Sequence, residues 1–191
     1  MGRDNLLNIH SVIPLSRVNG PGKRLVVFFQ GCARRCPGCF NPATHPFKPV
    51  HLYSPQGLYK EFLLPDIEGI TVSGGEPFSQ TGGLLQLLRL CKESLGLTTV
   101  VYTGFLYEEL KKGYLSGSTL KYIDVLIDGR FEEDKKEPTL LARGSTNQRF
   151  FFFNSLYQQN DFIMPAKVEI IIGKDGIIKE TGFSKTNFNL N

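Results

Sequence analysis

The sequence predicts an α/β fold built on a parallel sheet, on three observations. Short apolar runs recur at Leu25–Phe29, Ile67–Ser73, Thr98–Tyr102 and Tyr122–Ile127, and each reads as a buried strand. Helical patterns lie between the later runs, and strands alternating with helices fold through right-handed crossovers onto a parallel sheet. Each run ends in a glycine-bearing turn: Gly31-Cys32, Gly74-Gly75-Glu76-Pro77, Thr103-Gly104-Phe105 and Asp128-Gly129-Arg130. These turns would share one sheet edge, the edge where α/β proteins place their chemistry.

The elements follow in order. Leu6 to Leu15 alternates loosely and reads as a short leading strand. Asn19-Gly20-Pro21-Gly22 is a turn by composition, and Leu25 to Phe29 is the first buried strand. The loop that follows runs to Pro49, and its prolines oppose regular structure. Ser54 caps a helix through about Leu64, with Pro55 in its first turn. After the strand Ile67–Ser73, Ser79 is expected to cap a helix through about Ser94. The strand Thr98–Tyr102 precedes a helix near Leu106 to Lys112, and Tyr122–Ile127 is the fourth strand. The charged stretch Phe131 to Pro138 reads as a solvated loop. Phe150 to Phe153 would invite aggregation if exposed, so it is placed in a covered fifth strand. Val168 to Ile172 is a sixth strand, Lys174-Asp175-Gly176 a hairpin turn, and Ile177 to Phe183 pairs back. Ser184 to Asn191 is polar and reads as a frayed end. No internal repeat or linker divides the chain. A single domain over 1–191 is expected, with its core at about 8–172 and a hairpin at about 168–183.

The 191 residues are 41% hydrophobic and 21% charged, as in a soluble globular protein. The net charge of +4, without a basic tract carrying interleaved aromatics, gives no nucleic-acid signature. No apolar run is long enough to span a membrane, and no signal segment opens the chain. A cytoplasmic location is expected, where thiols stay reduced. Four cysteines in a chain of this length do not make a disulfide framework.

Three of those cysteines, Cys32, Cys36 and Cys39, fall within eight residues directly after the first strand. Thiolates this close can wrap one metal centre, yet they number three. A structural zinc site and an ordinary iron–sulfur cluster both take four ligands. Three thiolates on a cubane leave one iron open to a small molecule. Two plainer readings stand beside this: a zinc site completed by His45 or His51, and a redox pair of Cys36 and Cys39 that leaves Cys32 idle. Cys91 lies apart in a helical pattern with an apolar face and reads as a buried structural thiol.

The spacing C-x3-C-x2-C resembles that of radical S-adenosylmethionine enzymes. Gly20-Pro21-Gly22, Gly31-Cys32 and Cys36-Pro37-Gly38-Cys39-Phe40-Asn41 narrow the resemblance to the activating proteins of anaerobic ribonucleoside-triphosphate reductase, a group of glycyl-radical enzyme activases. Ser73-Gly74-Gly75-Glu76-Pro77, Tyr102-Thr103-Gly104-Phe105, Val125 to Phe131 and Arg143 to Arg149 extend it. One departure from the wider superfamily is shared with the activators: the aromatic Phe40 follows the third cysteine, where most members carry an aromatic before it.

The resemblance implies a partial (β/α)6 barrel and a [4Fe–4S] cluster held by Cys32, Cys36 and Cys39. It implies S-adenosylmethionine on the fourth iron, its amino group at Gly74, Gly75 and Glu76. Phe40, Thr103, Asp128 and Asn147 are further expected cofactor contacts. Taken alone, Asp128 is either a cap or a ligand-facing carboxylate, and Asn147 is equally a bland turn residue. Arg34 and Arg35 either stabilise thiolates and a reduced cluster or face solvent. The implied activity is that of an oxidoreductase: cosubstrate cleavage to a 5′-deoxyadenosyl radical that makes a glycyl radical on a partner reductase. The implied electron donor is of flavodoxin or ferredoxin type. The alternatives are a radical enzyme acting on a peptide or small molecule, and a zinc-binding interaction module.

Overall fold

The computed structural model describes residues 6–173, 176 and 178–183. Among them, β1 (Leu7–Ser16), β2 (Arg24–Phe29), β3 (His51–Tyr53), β4 (Gly69–Gly74), β5 (Thr98–Tyr102), β6 (Val125–Asp128) and β7 (Arg149–Phe152) form one mixed sheet. Its order is β3-β1-β2-β4-β5-β6-β7. The centre, β2-β4-β5-β6, is parallel. β1 is antiparallel to both β2 and β3, and β7 is antiparallel to β6.

The expected partial (β/α)6 barrel is therefore not the fold. The parallel crossovers run through α1 (Pro55–Phe62), α2 (Thr81–Leu95), and the pair α3 (Tyr107–Lys112) and α4 (Tyr114–Leu120). Outside that stretch the chain stops alternating. β1 and β2 are joined by a turn too short for anything but an antiparallel return. After β6 there is no helix: the chain passes through a single 3-10 turn, Glu133–Lys135, and comes back as β7. The sheet stays open, with antiparallel strands at both flanks.

Strand alternation gives the sheet two different faces. Leu25, Val27, Phe29, Ile70, Val72, Val101 and Leu126 meet the helices, chiefly Leu84, Leu87, Leu88 and Cys91 of α2. Val100, Tyr102, Val125 and Ile127 point the other way, with Phe150 and Phe152 of β7, onto Leu141, Ala142, Phe162 and Met164. Phe150 to Phe152 are thus partly covered, in an antiparallel strand, whereas Phe153 lies past the end of β7 and is exposed. The second face is covered by chain on both sides of β7, Leu141 and Ala142 before it and Phe162 and Met164 after it.

Several local expectations change. Ser54 does cap α1, its hydroxyl accepting from Gly57 N at 3.0 Å. Ser79 does not cap α2: a 3-10 turn, Pro77–Gln80, intervenes and α2 begins at Thr81. β3 and α4 are additions to the predicted elements. α4 carries the poor helix former sequence Ser116-Gly117-Ser118-Thr119, whose hydroxyls bond back to the carbonyls of Leu110, Tyr114 and Leu115. Glu137, at the end of the acidic stretch, is buried with Arg143 at 2.6 Å.

The expected sixth strand does not join the main sheet. β8 (Val168–Ile172) and β9 (Ile178–Gly182) form a separate antiparallel hairpin. Lys174, Asp175 and Ile177 of the predicted turn region, and the tail Ser184 to Asn191, lie outside the described residues.

Candidate metal and cosubstrate site

The three cysteines occupy the loop leaving β2 at the carboxyl edge of the parallel strands. The loop is tied at its root. Gly31 N donates to Thr44 O at 2.7 Å and Cys32 N to His45 O at 3.1 Å. The Gln30 amide donates to Pro46 O at 2.6 Å. Inside the loop, Cys39 N donates to Cys36 O at 3.2 Å, and the Cys39 sulfur accepts from Asn41 N at 3.4 Å. Burial pushes the Cys32 thiol up, and the amides of Arg34 and Arg35 pull it back down.

β4 delivers Gly74, Gly75 and Glu76 against this loop. Gly74 has φ +100, and a Cβ there would stand 2.5 Å from Phe29 N. A Cβ on Gly75 would stand 2.5 Å from Gly31 O. The glycines therefore let two loops pack backbone to backbone, with Glu76 N donating to Gly31 O at 2.9 Å.

Glu76 is buried, and its carboxylate is held by three donors. Thr103 Oγ1 and Gly104 N each donate to it at 2.8 Å, and Phe78 N at 3.0 Å. Burial pushes its carboxyl up, and those donors hold it back. Arg34, its guanidinium 3.8 Å over the Phe105 ring, is the nearby cation. Thr103 acts on Glu76 directly, a role its position in the motif did not reveal.

One cavity brings most of the predicted residues together. Cys32, Cys36, Cys39 and Phe40 line it from the loop, Gly74, Gly75 and Glu76 from β4, and Thr103 from β5. Phe40 packs on Phe131, ring centroids 4.9 Å apart. Asp128 and Asn147 lie outside the lining, where Gly129, Gly144 and Gln148 stand instead. Asp128 is fully buried and accepts from Arg149 Nε at 2.9 Å and from Tyr107 N, at the start of α3, at 2.7 Å. Asn147 donates to Arg130 O at 2.8 Å, and its Oδ1 is buried without a partner.

Sequence reasoning missed Gln80, which bonds Asn8 N, Asn8 O and Gln30 O and so braces the root of the cysteine loop. It also missed Phe183, which lines the cavity from the far end of the chain. Neither residue sits in a motif, and no spacing signals them.

The donor set fits an iron–sulfur cluster with one open corner. Three thiols share the cavity, and Cys91 is on the helix-facing side of the sheet. Burial pushes its thiol up to about 12, so it stays protonated at neutral pH. His45 lines the cavity, His10 is bonded to Gln30 at 2.9 Å, and His51 is exposed on β3. Among the described residues no three His, Cys, Asp or Glu side chains converge tightly enough to hold a metal ion by themselves.

A three-thiol loop on the carboxyl edge of this sheet belongs to a class of single-cluster domains. The family model described as "4Fe-4S single cluster domain" matches residues 18–151. The anaerobic ribonucleoside-triphosphate reductase-activating protein of Salmonella typhi is 35% identical over 155 residues, covering 74% of this chain and 96% of the relative. Proteins of the same name are 33% identical over 152 residues in Escherichia coli K12 (74% and 96% covered) and 34% over 157 in Pasteurella multocida (77% and 98%). The chain belongs to this family of activating proteins. Among the described residues no helix is long and apolar enough to cross a membrane.

Proposed function

We propose that this chain is a radical S-adenosylmethionine enzyme that installs a glycyl radical on a partner, an anaerobic ribonucleoside-triphosphate reductase. The observation that carries the reading is the shared cavity: three thiols and the Gly74-Gly75-Glu76 turn face one space, with the fourth cysteine remote. Cys32, Cys36 and Cys39 would hold the cluster, and a set of three thiolates would leave room on it for the cosubstrate. Gly74, Gly75 and Glu76 receive its ammonium group, and Thr103 with Gly104 N fixes the carboxylate for that contact. Phe40 borders the space for the nucleoside. Asp128 acts one layer back, holding Arg149 and the start of α3. When bound, the cluster and S-adenosylmethionine supply one-electron cleavage of the sulfonium and the hydrogen abstraction that follows. The protein orients the partners and excludes water. Electrons come from a flavodoxin- or ferredoxin-type donor, and the setting is the cytoplasm.

The family names of its relatives favour a reductase over a free peptide or small molecule as the target. His45 at the cavity is what favours a zinc module as second reading. The test is iron and sulfide analysis of anaerobically reconstituted protein and of Cys36→Ala. Four irons with four sulfides, lost in the variant, are expected. One zinc without labile sulfide, or a full cluster in Cys36→Ala, overturns the reading.

A further inference from the structure

Away from the thiols, three helices end around a second cavity. Lys92 lies in the last turn of α2, Lys111 in the last turn of α3, and Lys121 directly after α4. A lysine at the carboxyl end of a helix offsets the helix dipole, which accounts for each of the three singly. It does not account for all three lining one cavity of about 540 Å³, within the range of small-molecule sites, about 300–1,000 Å³. Lys112, in the same turn as Lys111, is not part of the lining. This cavity shares no lining residue with the one that gathers the thiols.

Its floor is Asp124, which is buried. The carboxylate accepts from Lys92 Nζ at 2.7 Å and from Thr99 N at 2.8 Å, and the Asn154 amide donates to it as well. Lys92 is thereby held in place at the cavity. Three lysines against one aspartate leave the lining with an excess of positive charge. The acids nearby on α2 and α3 are engaged elsewhere, Glu93 with Arg89 and Glu108 with Arg149. One wall is aromatic. Phe153 N donates to Asp124 O at 2.9 Å, which fixes the residue beside the floor while its side chain stays 38% exposed. The Tyr107 ring stands 5.6 Å from that of Phe153 and 4.6 Å from that of Phe151, and Lys111 Nζ lies 5.3 Å over the Tyr107 ring.

We infer that this cavity is a binding site for a nucleoside polyphosphate, with the base against the Phe153 and Tyr107 rings and the phosphates on Lys92, Lys111 and Lys121. Ammonium groups take phosphate as point charges, and an aromatic face stacks a base of any identity. The site therefore selects for charge and a flat ring together. A bare phosphate would leave the rings and most of the volume unused, and an uncharged nucleoside would leave the lysines unused. The ligand meets none of the three thiols, so it is not a reactant in the proposed radical chemistry.

The test uses full-length reconstituted protein and N-methylanthraniloyl-ATP, read by fluorescence anisotropy, with unlabelled ATP, inorganic triphosphate and S-adenosylmethionine as competitors. Saturable binding is expected, displaced by ATP and not by S-adenosylmethionine. The double variant Lys111→Gln/Lys121→Gln, altered only at exposed positions, is expected to weaken it at least about 10-fold. Phe153→Leu keeps the apolar bulk and removes the ring. It is expected to weaken ATP about 3-fold or more and to leave competition by inorganic triphosphate unchanged. Absence of saturable binding, full affinity in the folded double variant, or displacement by S-adenosylmethionine overturns the proposal. Inorganic triphosphate competing as well as ATP, with no effect of Phe153→Leu, overturns it too, since the lysines are then a patch for any polyanion.

Discussion

The two ends of the parallel sheet each bury a charged side chain, and they treat it differently. At the amino end, Arg24 is fully buried and spends its guanidinium on Thr71, Thr98 and the carbonyls of Ile70 and Thr98. Burial pushes its pKa down, with no carboxylate in direct contact among those partners. At the carboxyl end, Glu76 is equally buried and held by three donors, but it borders a cavity shared with three thiols. Arg24 is a closed device that clamps β2, β4 and β5 together. Glu76 is an open one, with acceptor capacity facing space that a ligand can fill. Burial of a charge does not by itself mark function; the cavity beside it does.

Substitutions separate the two ends, the largest effect first. Arg24→Met leaves several acceptors buried and unpaired. At about 1.5–3 kcal/mol for a hydrogen bond to a charged group, the summed loss is on the order of 3–5 kcal/mol. Urea unfolding measures it, and a loss below that of Glu76→Ala would collapse the contrast. Glu76→Ala strands Thr103, Gly104 N and Phe78 N, but Thr103 and Gly104 border the cavity, so the expected loss of stability is about 1–2 kcal/mol. Its main effect is on cosubstrate affinity, expected to drop at least about 10-fold, or about 1.4 kcal/mol, with the cluster retained. Calorimetry with S-adenosylmethionine decides this.

Asp128→Ala sharpens the comparison from a position near the cavity but outside it. It removes the acceptor for the first turn of α3 and the partner of Arg149, which is 44% exposed and is recovered by solvent. A loss of about 1 kcal/mol is expected, as for other helix caps, with cosubstrate affinity unchanged. Thermal melts and calorimetry on the same samples test both halves. The smallest effect is a pH dependence. Burial works against the charge of Glu137, but Thr139 and Arg143 outweigh it and hold its carboxyl below the usual range. A depressed carboxylate contributes stability at neutral pH that is lost as pH falls through the usual carboxylate range toward the folded value. Glu137→Gln is expected to show a shallower acid limb in stability against pH, and an unchanged limb would dismiss the pair as its source.

The central strands were legible because they are buried on both faces and read as continuous apolar runs. The cysteine loop and the Gly74-Gly75-Glu76 turn were legible because their residue types are rare in that order. The barrel was misread at its flanks. Leu7–Ser16 and Arg149–Phe152 carry the same strand pattern whether they pair parallel or antiparallel, and direction is set by connection length and the absence of a helix after β6. Nothing in the sequence marks Arg24 for burial, since the acceptors that meet its guanidinium come from residues far along the chain. Asp128 shares the sheet edge with the cavity, and only coordinates show that Arg149 and α3 claim it.

The knot of backbone bonds joining Gly31 and Cys32 to Thr44 and His45 closes the thiol-bearing segment as an Ω-shaped loop through main-chain atoms alone. Little further chain entropy is then lost when iron is taken up. A segment closed in this way would keep its shape if a metal it held were lost, so reloading would be refilling rather than refolding.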